Sequence, residues 1–215
     1  MQAVLFGGTG LTGSCILNLL NNDPDFKSII VVTRNIFTHS SNKISNKVID
    51  FSDPAEIESC IKQDSIVFSC IGTTQAQVKG DKNKYRAIDY DITLNIANAC
   101  EKLNAKKFLF VSSGGANSSS SNFYLKLKGE IEDAVLKTKQ KSLFILKPSL
   151  LIGKRKNSRF IESIGQIIMP LFSILLPDSI KAVKANTVAK CMLELSKSEL
   201  SNLNIIENKE ILSYR

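Results

Sequence analysis

The sequence predicts an α/β fold: a doubly wound parallel β-sheet covered by helices on both faces, with a short C-terminal helical extension. Three observations carry this. Short, continuously apolar runs bounded by turn residues alternate with helical segments over the first 150 residues, the pattern of strands buried on both faces. A glycine-rich turn joins the first such run to the first helix. The chain of 215 residues, 43% hydrophobic and 22% charged, matches a single globular domain and departs from disordered, collagen-like or disulfide-scaffold compositions. The division expected is one domain over 1–215, with a core at 1–150 and a small extension at 151–215.

The elements follow in order. Residues 2–6 (QAVLF) form a buried strand, and 11–20 have helical periodicity. Residues 28–33 (SIIVVT) make a second strand, 47–49 a short third, and 54–61 a helix. A strand at 65–70 and a long helix at 84–103 come next, then a fifth strand at 107–111. The tract Ser118 to Ser121 is too short for a linker and sits in a loop before a helix at 122–139, followed by a sixth strand at 142–147 (SLFILK). Segment 161–177 is apolar but carries Glu162, Gln166 and Pro170. It reads either as a core-facing or lid-like helix broken near Pro170, or as an interfacial helix or oligomer contact. A last helix at 187–196 places Val188, Cys191, Met192 and Leu195 on one face. No uninterrupted apolar run reaches 18 residues, so no spanning helix is expected.

The turn Gly7-Gly8-Thr9-Gly10-Leu11-Thr12-Gly13 lies between strand and helix. Glycines are needed there for the tight turn, for backbone approach to a pyrophosphate, and for close packing of helix on strand. The anion then rests on the free N–H groups at the helix N-terminus. Gly7, Thr9, Gly10, Leu11, Thr12 and Gly13 are therefore candidate dinucleotide contacts on a Rossmann-type fold. About 20 residues on, an acid would bond the ribose hydroxyls of NAD(H). This chain has Thr33-Arg34-Asn35 instead. A guanidinium there can stack on adenine and pair with a 2′-phosphate, which favours NADP(H) over NAD(H), although a solvated surface charge would look the same. Asp50 and Phe51, after the third strand, are placed to meet the adenine edge; Asp50 could instead cap the helix before Pro54. Residues 70–74, after the fourth strand, should pass the pyrophosphate and ribose, with Cys70, Gly72 and Thr73 as contacts.

Tyr124 and Lys128 are spaced i, i+4, so on a helix they share one face. An ammonium beside a phenol stabilises the phenolate and suits it to general acid–base work. Ser112 and Ser113 stand at the end of the fifth strand, where a hydroxyl can orient a substrate carbonyl. With the glycine loop, these segments resemble the short-chain dehydrogenase/reductase superfamily, and within it the Tat-interacting-protein-like oxidoreductases. The matching stretches also include 70–74 (CIGTT), 111–116 (VSSGGA), 121–124 (SNFY), 128–130 (KGE) and 147–151 (KPSLL). The resemblance implies Tyr124 as proton donor, Lys128 as partner of Tyr124 and of the nicotinamide ribose, and Ser113, not Ser112, as carbonyl orienter. It also implies Pro148 and Leu150 on the nicotinamide side. Two departures stand out. Lys147-Pro148-Ser149 replaces the usual Arg-Pro-Gly, and only some 65 residues follow the sixth strand, which implies a small or poorly enclosed substrate site.

The chain carries 28 basic and 20 acidic residues, a net charge of +8, with a pI near 9.2. Nucleic-acid binding is disfavoured: there are no zinc ligands, no helix-turn-helix and no Trp, and the lysines are scattered. Attraction of a polyanionic dinucleotide accounts for the charge. The cluster Lys154, Arg155, Lys156 and Arg159 reads as a solvated loop or as a contact for cofactor phosphates. The five cysteines form no CxxC pair and His39 is the sole histidine, so neither a disulfide framework nor a metal site is expected. They read as small buried hydrophobes in a reducing compartment. With the first strand starting almost at Met1 there is no room for a targeting peptide, and a cytoplasmic location is expected. Two functions remain: an NADP(H)-dependent oxidoreductase acting on a small carbonyl or alcohol, as monomer or homodimer, and an NADP(H)-binding regulatory or interaction protein without turnover.

Overall fold

The computed structural model describes residues 1–153 and 177–215. The expectations for the 161–177 segment and for the basic cluster at 154–159 fall on residues outside that set, apart from Pro177. The strands of the main sheet are β1 (Gln2–Phe6), β2 (Ser28–Thr33), β3 (Ile44–Val48), β4 (Ile66–Ser69), β5 (Lys107–Val111), β6 (Ser142–Lys147) and β9 (Asn202–Glu207). A separate two-stranded sheet pairs β7 (Leu151–Ile152) with β8 (Val183–Lys184). The helices are α1 (Leu11–Asn22), α2 (Pro54–Glu58), α3 (Lys82–Arg86), α4 (Ile92–Lys102), α5 (Phe123–Val135), α6 (Ala185–Lys197) and α7 (Asn208–Ile211). A π-helical turn, Ala87–Asp91, joins α3 to α4.

The main sheet has seven strands in the order β3-β2-β1-β4-β5-β6-β9, and each neighbouring pair is parallel. The order reverses between β1 and β4, and ligands of such sheets bind beyond the strand C-termini at that point. The period of two in each strand sorts its side chains between two cores. Ala3, Leu5, Ile29, Val31, Ile66, Phe68, Phe144 and Leu146 pack with Ile16 and Leu20 of α1 and Val188 and Met192 of α6. Val4, Phe6, Val32, Val67, Phe108, Phe110 and Ile145 pack on the opposite face with Ile57 of α2, Ile96 of α4 and Ile131 of α5. Helix starts follow local chemistry: Asp53, Asp81 and Asn122 each accept backbone N–H bonds as N-caps of α2, α3 and α5.

The doubly wound parallel sheet is as expected, and several boundaries move. The third strand spans Ile44–Val48, not 47–49, because an edge strand is held by ladder bonds to β2 while its side chains stay half wet. The 54–61 and 122–139 helices end early, at Glu58 and Val135, and the helix of 84–103 begins at Lys82 and passes through the π-turn. Beyond the sixth strand, β9 and the small β7–β8 sheet were not anticipated. β9 forms the outer edge of the main sheet and leaves Leu203 and Ile205 exposed. Helix α6 buries Val188, Cys191, Met192 and Leu195, as its periodicity implied. Its end is tied to α1 by Lys197, whose ammonium lies 2.9 Å from the Asp23 carboxylate.

Lys107, at the start of β5, is buried and donates to the carbonyls of Leu195 (3.0 Å) and Ser198 at the C-terminal end of α6. Burial, reinforced by the like charge of Lys106, pushes its pKa down. Lys107→Met keeps the aliphatic stem and leaves those helix-end carbonyls without their donor. A loss of about 2 kcal/mol in urea unfolding is expected.

Candidate active site

The glycine loop lies at the C-terminal end of β1, beside the switch point. Gly7 has φ +78°, and a Cβ there would sit 2.7 Å from the Cys70 carbonyl, so the loop after β4 passes directly against it. A Cβ on Gly13 would stand 2.0 Å from the Gly7 oxygen, so α1 can approach the loop only with glycine at this position. The turn is closed by the Gly10 N–H on the Gly7 carbonyl at 2.9 Å. Gly10 caps α1 without a side-chain hydrogen bond, and no acid sits in the first turn. The first N–H groups of α1 are thus open to an anion at an electropositive helix end, with Thr9 exposed at the tip and Thr12 buried beneath. This cradle fits a pyrophosphate. Leu11 faces a second hollow of about 310 Å³ between the first turns of α1 and α6, shared with Cys15, Ile152 and Asn186.

On the β2 side of the switch point, Arg34, Asp50, Phe51 and Ser52 line a cleft of about 620 Å³ with Ile88 and Asn95. Its volume and mixed lining suit a nucleoside. Asp50 does not cap α2; Asp53 does. The Asp50 carboxylate accepts from the N–H and hydroxyl of Ser52, and those bonds hold its pKa below the usual carboxylate range. Cys70 continues the ladder by donating its N–H to the Phe6 carbonyl, and desolvation raises its thiol pKa to about 12, which favours the protonated thiol at neutral pH. A Cβ on Gly72 would meet only Asp89 Oδ2, at 3.8 Å. The Thr73 hydroxyl is turned to Gln77 Oε1 at 3.1 Å.

Tyr124, in the first turn of α5, is 36% exposed, whereas Lys128 one turn later is 6% exposed. Lys128 Nζ lies 2.9 Å from Asp89 Oδ2, and Asp89 is 1% exposed within the π-turn. That oxygen takes no well-aligned hydrogen bond, so the contact is chiefly charge on charge. Burial works against the Lys128 ammonium, but the Asp89 carboxylate, with Tyr124 and Glu132, outweighs it and raises the lysine pKa. Asp89 Oδ1 accepts the Thr73 N–H at 2.7 Å, and Tyr85 donates its hydroxyl to the Thr73 carbonyl at 2.9 Å. One carboxylate therefore links the lysine to the loop after β4.

The two serines differ in their surroundings. Ser112 donates its hydroxyl to Glu132, which also meets Lys147 Nζ at 3.0 Å. Among the described residues the Ser113 hydroxyl makes only a 3.3 Å contact to the neighbouring Gly114 carbonyl. The loop that follows lies on α5: Asn117 donates its N–H to the Leu125 carbonyl, and a Cβ on Gly129 would reach within 2.1 Å of Ser118 N. Gly114 donates its N–H to the Pro148 carbonyl at 2.7 Å, joining this loop to the one after β6. Pro148 is buried and Leu150 is 40% exposed, its carbonyl held by the Val183 N–H. Among the described residues the sequence-derived candidates thus lie at or just beyond the C-terminal edge of the sheet: the cleft lined by Arg34, Asp50 and Phe51 is on one side of the glycine loop, and Ser113, Tyr124, Lys128 and Pro148 are on the other. Sequence reasoning missed Asp89, Glu132 and the packing role of Gly129. Asp89 carried one signal, an acid on the face of its helix that packs inward; Gly129 lay within the matching 128–130 stretch, and Glu132 carried none. Among the described residues no group of three His, Cys, Asp or Glu could hold a metal ion, and no helix is long and apolar enough to cross a membrane.

Residues 7–152 match the family model described as NAD(P)H-binding. Protein FMP52, mitochondrial, of Candida albicans is 33% identical over 209 residues, covering 94% of this chain and 90% of that protein. The FMP52 protein of Meyerozyma guilliermondii is 37% identical over 165 residues, covering 76% and 71%. Among solved structures, MoeE5 in complex with UDP-glucose and NAD superposes with a TM-score of 0.71 at 13% identity, over 99% of this chain and 80% of that one. Thermus thermophilus UDP-glucose 4-epimerase in complex with NAD gives 0.70 at 17% identity, over 99% and 81%. These structures show the Rossmann-type fold. The relatives bear the FMP52 name, so the NAD(P)H-binding family is shown and the narrower likeness to the Tat-interacting-protein-like group is not. One expectation is corrected. The cytoplasmic location is overturned, since relatives at 32–37% identity are named mitochondrial; a short span before the first strand was no guide to compartment.

Proposed function

Because this chain belongs to the NAD(P)H-binding family together with the FMP52 proteins, we propose that it is a mitochondrial NADP(H)-dependent oxidoreductase of the short-chain dehydrogenase/reductase type. Its substrate would be a small carbonyl compound or the corresponding alcohol, and the whole chain serves as one nucleotide-binding domain. The observation that carries the reading is the half-exposed Tyr124 one helical turn before a buried, charged Lys128. A phenol open to substrate and backed by an ammonium can give or take the alcohol proton. Ser113 is the hydroxyl left to orient the carbonyl, since Ser112 is committed to Glu132. The residues of 7–13 would hold the pyrophosphate. Arg34, with Asp50 and Phe51, would hold the adenosine and its 2′-phosphate; Cys70, Gly72 and Thr73 would flank the ribose, and Pro148 and Leu150 the nicotinamide. The bound nicotinamide supplies or accepts the hydride.

The test is NADPH oxidation by the purified chain across a panel of aldehydes and ketones. Tyr124→Phe is expected to lower the rate roughly 10²- to 10⁴-fold while NADPH affinity is kept. A rate that survives the substitution would sink the mechanism. A second reading, nucleotide binding without turnover, has one observation in its favour: Asp89 already neutralises Lys128. Tight NADPH binding with no oxidation of any carbonyl in the panel would select it.

A further inference from the structure

Arg34 does not hold its own backbone in place. The turn that carries it, residues 33–37, bends at Arg34 and Asn35; Ile36 is 85% exposed, and only Phe37, at the far end of the turn, packs part-buried against the core. The polar backbone and hydroxyl groups on both sides of Arg34 are held by a carboxamide on the neighbouring edge strand. Asn46, on β3, donates through Nδ2 to the Val31 carbonyl at 2.9 Å and to Thr33 Oγ1 at 2.7 Å. Its Oδ1 accepts the Phe37 N–H at 2.8 Å. Thr33 Oγ1 passes the chain on by donating to the Asn35 carbonyl at 2.7 Å. Both donor hydrogens and the acceptor of one amide side chain are thus spent on the backbone and hydroxyl groups that bracket Arg34.

We propose that Asn46 is a specificity-determining positioning residue: by pinning the 33–37 turn at Thr33, Asn35 and Phe37, it presents Arg34 to the 2′-phosphate of NADP(H). This rests on the NADP(H) reading above. Asn46 is not among the residues lining the nucleoside cleft, whereas Arg34 is, so Asn46 acts through the arginine. An arginine stem has many rotamers, and a fixed backbone origin lowers the ordering cost of pairing its guanidinium with a dianion. NADH has no 2′-phosphate and its binding draws nothing from that order. The role therefore predicts a change in the ratio of the two affinities, which a general loss of stability would not produce.

The experiment measures dissociation constants for NADPH and NADH by fluorescence titration of the purified chain and its variants. Asn46→Ala should weaken NADPH binding about five- to twentyfold and leave NADH within about twofold. Thr33→Val, which keeps the shape but breaks the link to Asn35, should move the ratio the same way, and Thr33→Ser, which keeps the hydroxyl, should restore it. Thr33→Val also decides the matter if Asn46→Ala does not fold. Equal losses for both nucleotides, or an unchanged ratio in the variants, overturn the positioning role. Arg34→Ala separates this from the parent reading. If it erases the NADPH preference while the Asn46 and Thr33 variants keep it, only the positioning role falls. If the wild-type chain shows no preference, or Arg34→Ala leaves it intact, both fall.

Discussion

Asp89→Ala is expected to cost roughly 3–5 kcal/mol of folding stability, among the largest effects of any single substitution in this chain. The cost comes less from the lost attraction than from what is left behind: an ammonium at Lys128, 6% exposed, with no carboxylate at ion-pair distance among the described residues. The Thr73 N–H would lose its acceptor as well. Asp89→Asn separates the two contributions, because an amide oxygen can still accept from Thr73. Its pH dependence carries the sign. In the wild type the folded-state pKa of Lys128 is raised, so the pair's contribution is complete below the ordinary lysine pKa and declines as pH climbs through the higher folded value. In Asp89→Asn the buried lysine has lost its partner and its pKa falls. Stability should then be regained as pH rises from about 7 toward 10. Urea unfolding at pH 7 and near pH 9.5 should show the deficit of the variant narrowing; an equal deficit at both would refute the ion-pair account.

Gly129→Ala should be nearly as damaging, against the usual direction of that substitution. In an exposed helix interior, alanine is favoured over glycine by about 1 kcal/mol. Here the new methyl would stand 2.1 Å from Ser118 N and 2.3 Å from Asn117 C, both backbone atoms. Helix α5 and the 113–122 loop would have to part, at a cost of about 3 kcal/mol for an overpacked contact. Because that loop leads from Ser113 and the helix carries Tyr124 and Lys128, the displacement should reach the proposed catalytic geometry. Misplacement by about 1 Å can lower a rate on the order of 10²-fold. Denaturation midpoint and NADPH turnover should therefore fall together, and a variant as stable and active as the wild type would show that the loop can yield.

Much of the fold was legible because its signals are local. The run QAVLF needs no partner to read as a buried strand, and the alternation that sends Ala3 and Leu5 to one core and Val4 and Phe6 to the other is a property of any strand. Within the main sheet, the strands that the local pattern misplaces or hides are its two edges. β3 and β9 have one side without a neighbouring strand and keep polar or exposed positions, so neither shows the continuous apolar run of a buried strand. Asn202, Leu203 and Ile205 of β9 are exposed, and only the ladder to β6 makes that segment a strand.

The sequence by itself determined the glycine cradle, the Tyr124–Lys128 spacing and the position of Arg34 after β2, because each depends on residues a few places apart on one element or turn. The tertiary structure alone decided what those groups meet. Asp89 reaches Lys128, Asn46 reaches the Arg34 turn, Glu132 takes up Ser112 and not Ser113, and Gly129 admits the Asn117–Ser118 backbone. Such contacts join segments distant in sequence, and their energies come from burial and charge in a shared interior. No local period or spacing encodes that interior; it exists only once the sheet has closed and its helices have packed.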